Sequence, residues 1–305
     1  MVLISNSLRH RLKAKLPRFI TSGLRGFETY ISRIGYWLQV MREVRGRTKK
    51  DNAKLWVSFL AASVVSMRNL DKWQNPMVLW DITVRVLGVG IFNVRANCDD
   101  LYHVIPSGEP EVFAAISRLL DTGGSFVDAG ANIGKYSILA ANRVGLEGRV
   151  IAIEMMPETA LILRNHVEVN GARNIKVIEK ALSDRAGETV TASVPENLHG
   201  QASISEELLS QNRRTISVET STLDTILQGK YIIDLMKMDL EGVEPRALLG
   251  AEKSLQRIQN IIFEDWGKDG SETRQILKKH GYKISALDER NFLARREPVQ
   301  GESAR

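Results

Sequence analysis

The chain has 305 residues, 43% hydrophobic and 26% charged, with a formal net charge of +6, which describes a globular chain with a substantial core rather than a disordered or fibrous one. A single cysteine, Cys98, excludes an internal disulfide and a multi-cysteine zinc site, so a reducing compartment such as the cytoplasm is expected. The longest uncharged apolar-rich run, Leu55 to Met67, has thirteen residues, too few for a bilayer span, and the first residues lack the apolar stretch of a secretory signal.

The charge is uneven. Residues 1–50 carry twelve Lys/Arg against Glu28 and Glu43, a net +10, so the remaining chain carries −4. Within that basic segment Ile20, Leu24, Phe27, Ile31, Ile34, Leu38 and Met41 alternate steps of four and three, a helical stripe that Tyr30, Trp37 and Val44 widen. Gly23, Gly26 and Gly35 weaken the helix, by about 1 kcal/mol each. The stripe suits docking on the protein's own body or on a second subunit. It also suits a basic helix on the inner face of an anionic membrane, or nucleic-acid contact. Residues 46–75 continue as a charged helical stretch and end at "DKWQNP", which marks 1–75 as an amino-terminal extension.

Beyond it, "VLWDITVRVLG" and "IFNVRA" alternate as strands around Gly88 and Gly90, predicting a β-arm over 76–105. "GEPEVFAAISRLLDTGG" reads as a helix entered through Pro110 and stopped by Gly123 and Gly124. Strands and helices then alternate. "SFVDAG", "RVIAIE", "IKVIEKAL", "IIDLMKMD" and "IQNIIFED" are strands, and most are followed by an amphipathic helix. The closing pair "YKISAL" and "NFLARR" has no helix between its members, so one of the two runs antiparallel. The predicted fold is α/β, a doubly wound, mainly parallel, Rossmann-like sheet, with a cofactor-binding core over 109–296 in a domain spanning 76–305.

In such a sheet ligands bind beyond the carboxyl ends of the strands. There "FVDAGANIGKYSILAA" makes a strand, a turn and a helix, with Gly130, Ala131, Asn132 and Gly134 in the turn; the turn is expected to aim backbone N–H groups at a ligand. Asp128 ends the strand before the turn, and Glu154 ends the next strand, twenty residues after Gly134, where a carboxylate can accept both ribose hydroxyls. A carboxylate at Asp128 repels a pyrophosphate and attracts an ammonium group. S-adenosylmethionine carries an ammonium, a sulfonium and a ribose, and no phosphate.

These segments, with "LMKMDLEGVEPRALLGAEKSL", "STLDTIL", "GEPEVF" and "KALSD", resemble the FkbM family of S-adenosylmethionine-dependent methyltransferases from roughly Glu109 to Phe263. The resemblance implies a class I methyltransferase in which Asp128, Gly130, Asn132 and Gly134 line the methionine end of the cofactor. It also implies that Glu154 holds the ribose and that the segment at Ala181 flanks the adenine. Residues before about 75 lie outside it.

The resemblance also implies a hydroxyl acceptor, on a sugar, glycan, glycolipid or secondary metabolite. The sequence points the same way. Where amine methyltransferases carry Asn/Asp-Pro-Pro-aromatic, this chain has "KMDLEG". An alcohol must lose its proton as it attacks, and Asp239, Glu241 and His199 are the candidate bases. Asp239 also reads as cofactor or helix-cap support, Glu241 as a first-turn dipole partner and His199 as an exposed loop residue; Lys237 could pair with a carboxylate and is assigned no chemistry. Spacing does not demand a metal, although Asp239, Glu264 and Asp265 could converge on magnesium. The competing readings are a nucleic-acid or protein methyltransferase and a cofactor-binding protein without activity. The missing amine motif and the acidic body argue against nucleic acid.

Overall fold

The computed structural model describes residues 18–68, 75–194, 203–204, 214–267 and 270–296. It opens with a long helix α1 (Arg18–Glu43), a short strand β1 (Val44–Gly46) and a second helix α2 (Lys49–Arg68). Gly46 begins the turn between strand and helix, where the Asn52 carboxamide oxygen accepts its N–H at 2.8 Å. The sequence stripe places the α1 helix correctly and its buried face only in part. Trp37, Val40 and Val44 are buried, whereas Phe27, Ile31 and Leu38 face outward.

The arm is a hairpin of β2 (Ile82–Val86) and β3 (Gly90–Val94), turned at Gly88, whose φ of 76° suits glycine. β1 adds to β2 antiparallel, completing a three-stranded sheet. One apolar cluster joins Trp37, Leu55, Phe92, Phe126 and Ile138, so the hydrophobic core runs across position 75 without a break. After α3 (Asp100–Val104) and a turn of tighter helix (Pro106–Gly108), α4 (Pro110–Leu119) leads into the central sheet.

That sheet begins with β4 (Ser125–Ala129), α5 (Lys135–Val144), β5 (Arg149–Ile153), α6 (Pro157–Val169) and β6 (Ile175–Ile178). The segment read as one strand, "IKVIEKAL", breaks at Glu179. Its end, β7 (Ala181–Leu182), pairs with β9 (Arg214–Ser221), which also pairs antiparallel with β8 (Thr189–Val194). The chain returns through α7 (Leu223–Ile226), β10 (Ile233–Met238), α8 (Glu244–Leu249), β11 (Ile258–Glu264) and α9 (Glu272–Lys279). It finishes in β12 (Tyr282–Ala286) and β13 (Asn291–Arg296).

The strand order is β12-β13-β11-β10-β4-β5-β6. All neighbouring pairs are parallel except those made by β13, which runs antiparallel to both β11 and β12. This is the expected doubly wound sheet with one reversed strand. Every residue of β4 is buried, because helices cover both faces. From β4 the chain winds toward β5 and β6, and β10 lies on its other side, so their carboxyl ends flank a topological switch point. Among the described residues no helix is long and apolar enough to cross a membrane.

Candidate active site

A cleft of about 900 Å³, open mouth included, lies at that switch point. Its first wall is the turn between β4 and α5. Gly130 (φ 82°), Asn132 (φ 50°) and Gly134 (φ 93°) all take left-handed backbone, and Gly130 and Gly134 are required by close packing as well. A Cβ at Gly130 would run into the Asp239 carbonyl oxygen, and one at Gly134 into Leu163.

Four of the turn's N–H groups are turned inward rather than to the cleft. Those of Gly130 and Ala131 donate to the Ile153 carbonyl at 3.0 and 2.9 Å, and that of Gly134 to Ala131 at 2.9 Å. The N–H of Asn132 donates to Glu154 Oε2 at 2.9 Å. These four donors are consumed within the wall and are not offered to a ligand.

Asp128 lies beneath this wall, fully buried. Its Oδ2 accepts the Ser137 hydroxyl at 2.6 Å, while its Oδ1 has no hydrogen-bond partner among the described residues. Burial pushes its carboxyl up to about 6, against the pull of Lys237 and Ser137. Glu154 lines the cleft, its second oxygen accepting the Met156 N–H at 2.8 Å; burial pushes it up to about 7 despite those bonds. Met155, Leu182, Ile204 and Val243 make the apolar side beyond it. Ala181 is buried behind that side, and its neighbours Lys180 and Leu182 reach the cleft instead.

The opposite wall is the end of β10. Asp239 Oδ2 pairs with the Lys237 Nζ at 2.9 Å, which answers the pairing expected for Lys237. Burial opposes the Lys237 charge, yet Asp239, Glu109 and Asp128 around it raise its pKa. Glu241 lines the cleft with a φ of 52°, a left-handed conformation costly for a residue with a side chain. Burial first, then the charges of Asp239, Glu264 and Glu244, push its carboxyl up to about 8. It is not a first-turn residue. α8 starts at Glu244, and it is Glu244 that accepts the Leu240 N–H, at 2.7 Å. Asp239 therefore caps nothing there.

Residues from before the sheet close the cleft. Glu109 accepts hydrogen bonds from Lys135 Nζ at 3.2 Å and the Tyr136 hydroxyl at 2.8 Å, and the charges of Lys135 and Lys237 with those bonds hold it down to about 2 against the effect of burial. His103 lines the mouth, its Nε2 held 3.0 Å from buried Asp99. The sequence reading gave neither residue a role, although "GEPEVF" contains Glu109 and Asp99 precedes His103 by one helical turn. His199 lies outside the described residues.

The magnesium grouping does not form. Asp265 is held by Arg274 at 2.7 Å and by Ser271 at 2.6 Å. Among the described residues, Cys98, Asp99 and Asp100 do bring three donors within 4.8 Å. Arg95 grips Asp100 from two nitrogens, at 2.8 and 2.7 Å, and burial pushes the Cys98 thiol up to about 12, which disfavours a thiolate ligand.

The family model described as methyltransferase FkbM domain matches residues 128–284, just over half of the chain. A methyltransferase of Sordaria araneosa, sdnD, is 26% identical over 192 residues, covering 52% of this chain and 73% of that protein. An arsenite methyltransferase of Halobacterium salinarum is 36% identical over 90 residues, covering 30% of this chain and 22% of that protein. Among solved structures, an S-adenosylmethionine-dependent O-methyltransferase from Thermotoga maritima superposes with a TM-score of 0.41 at 10% identity, over 72% of this chain and 79% of that one. On the family match, the chain belongs to the FkbM methyltransferases and is an S-adenosylmethionine-dependent methyltransferase.

Proposed function

We propose that this enzyme methylates a hydroxyl oxygen on a sugar-bearing small molecule, glycan, glycolipid or secondary metabolite, with Glu241 as proton acceptor. The observation that carries the reading is the acidic wall at the end of β10, where a half-buried carboxylate lines the cleft in a strained backbone conformation.

The cleft suits S-adenosylmethionine. Four N–H groups of the turn are already bonded within the wall, Asp128 keeps an unpartnered buried oxygen, and the carboxyl groups around the cleft outnumber the buried ammoniums of Lys135 and Lys237. Several of those carboxyls are pushed up toward neutrality, and a cationic ligand relieves the repulsion. Glu154 would take the ribose, the Gly130–Gly134 turn and Asp128 the methionine end, and Met155, Leu182, Ile204 and Val243 the adenine. When bound, the cofactor supplies a methyl group on a sulfonium, whose departure leaves a neutral thioether.

The chain's own contribution is placement and proton removal. An acceptor oxygen directed at the methyl carbon loses its proton to Glu241 as the new C–O bond forms and the C–S bond breaks. A carboxyl raised to about 8 is mostly protonated at neutral pH, and a cation beside it lowers that value and leaves it ionised to accept the proton. Asp239 serves differently, neutralising Lys237 and fixing the strand end. Isothermal calorimetry with S-adenosylhomocysteine tests the site and should give a micromolar Kd, roughly −8 kcal/mol. Binding of NAD without S-adenosylhomocysteine would overturn it. Mass spectrometry of glycans and lipids from a deletion strain should show one methyl group missing from an oxygen. A methyl group lost from RNA or protein instead would overturn the acceptor class.

A further inference from the structure

The sequence stripe on α1 is half covered, and the uncovered half is not isolated. Of fifteen large apolar side chains exposed among the described residues, eight stand on α1 and α2. Phe27, Ile31 and Leu38 share one arc of α1; Trp56, Val57, Leu60, Val64 and Met67 share one side of α2. Behind these arcs the two helices are packed together through rings. Trp37 of α1 lies 5.8 Å from Phe59 of α2, and Phe59 lies 5.9 Å from Trp56. Exposed apolar surface this concentrated marks a contact face.

The charge around it selects the occupant. Between residues 26 and 68 there are eight Lys/Arg against three Asp/Glu. Lys49 and Lys50 open α2, Arg68 closes it, and Arg42 ends α1; all four are exposed. A two-fold contact between copies would set this face against itself and bring like charges together. Anionic lipid headgroups would meet the same cations favourably while the apolar arcs enter the acyl boundary. We infer that the α1–α2 hairpin rests on an anionic bilayer surface.

The hairpin is also fixed to the cleft. Glu43, at the end of α1, accepts the Ser107 N–H at 3.1 Å and its hydroxyl at 2.9 Å, two residues before Glu109. Docking the hairpin therefore sets the angle of the cleft to the membrane. The inference stands on the face alone and is independent of the acceptor.

Sedimentation of the full chain with vesicles tests it. Phosphatidylcholine vesicles containing about 30 mol % phosphatidylglycerol should bind at least about tenfold more protein than phosphatidylcholine alone, and about 0.5 M salt should remove most of that difference. Leu60→Asp with Phe27→Asp, and separately Lys49→Gln with Lys50→Gln, should each lower binding severalfold. S-adenosylhomocysteine affinity and circular dichroism should be unchanged, because all four positions are exposed. Equal binding to neutral vesicles, or none to either, would overturn the inference. So would a dimer in sedimentation velocity that Leu60→Asp dissociates, which would make the face a contact between copies.

Discussion

The two walls of the cleft are both acidic and are built on opposite terms. In the β4–β5 wall the N–H groups of Gly130, Ala131, Asn132 and Gly134 all find partners within the wall, and its glycines are fixed by packing against Asp239 and Leu163. In the β10 wall the carboxyls of Asp239, Glu241 and Glu264 crowd together, and Glu241 sits in strained backbone. A satisfied wall is a rigid template for binding. A crowded and strained one holds groups whose protonation changes when charge arrives. On the proposed function, recognition belongs to the first wall and chemistry to the second.

The largest expected effect breaks the second wall. Glu241→Gln should lower kcat by about two to four orders of magnitude and change S-adenosylhomocysteine affinity little. In the wild type kcat/KM should rise with pH on a limb near 8, since burial and neighbouring carboxylates push Glu241 of the free enzyme up to about 8, and the variant should lack the limb. Retention of the limb in the variant would move the base to another residue, His103 being the next in place. A comparable effect on stability is expected from Lys237→Met, which leaves Asp239, Asp128 and Glu109 without their shared buried cation. Urea unfolding should show a loss of about 3–5 kcal/mol. A loss below 1 kcal/mol would mean that the carboxyls simply protonate.

Glu154→Ala probes the first wall. It removes the acceptor for the Asn132 N–H as well as the carboxylate facing the ligand. Calorimetry should show S-adenosylhomocysteine affinity weakened by about 1.5–3 kcal/mol. If turnover falls while affinity holds, the division between walls is wrong.

The first wall was legible in the sequence because its pattern is local. Asp128, Gly130, Gly134 and Glu154 occupy one βαβ unit, and the spacing of that unit fixes where they meet. The N–H directions were not legible, since they depend on the Ile153 carbonyl of the neighbouring strand. The second wall was half legible. Asp239 and Glu241 ended a recognisable strand, but the start of α8 at Glu244 moved the helix-dipole role one turn on. Glu109 and His103 escaped because they come from elements before the sheet, which tertiary packing folds over its carboxyl edge. The α1 stripe shows the limit of periodicity. It marks an apolar face and cannot tell that the core takes the side at Trp37 and Val40 while leaving Phe27 and Leu38 outside.

The smallest expected effect concerns why the first wall is stiff. His166 on α6 is completely buried, with its Nε2 accepting the Asn93 N–H from the arm at 2.8 Å. That leaves Nδ1 to donate to the Ile133 carbonyl in the turn at 2.7 Å, so the imidazole is neutral and bridges arm and turn. Burial lowers its pKa below the usual 6.5, the Asn93 N–H, which only a neutral Nε2 can accept, acts in the same sense, and the Ile133 carbonyl opposes the shift. The unfolded chain therefore binds a proton here that the folded chain does not, and this contribution to stability is lost as pH falls below about 6.5. Asp128 and Glu154, raised in the folded state, act in the opposite direction, so the wild-type profile alone is ambiguous. The difference between wild type and His166→Gln isolates the imidazole, because the carboxyls are common to both. Wild type should be the more stable at pH 7.5, and its advantage should shrink by about 1 kcal/mol by pH 5.5. An advantage that is constant across that range would show that the bridge tolerates a charged imidazole, and that the first wall is held by its glycines instead.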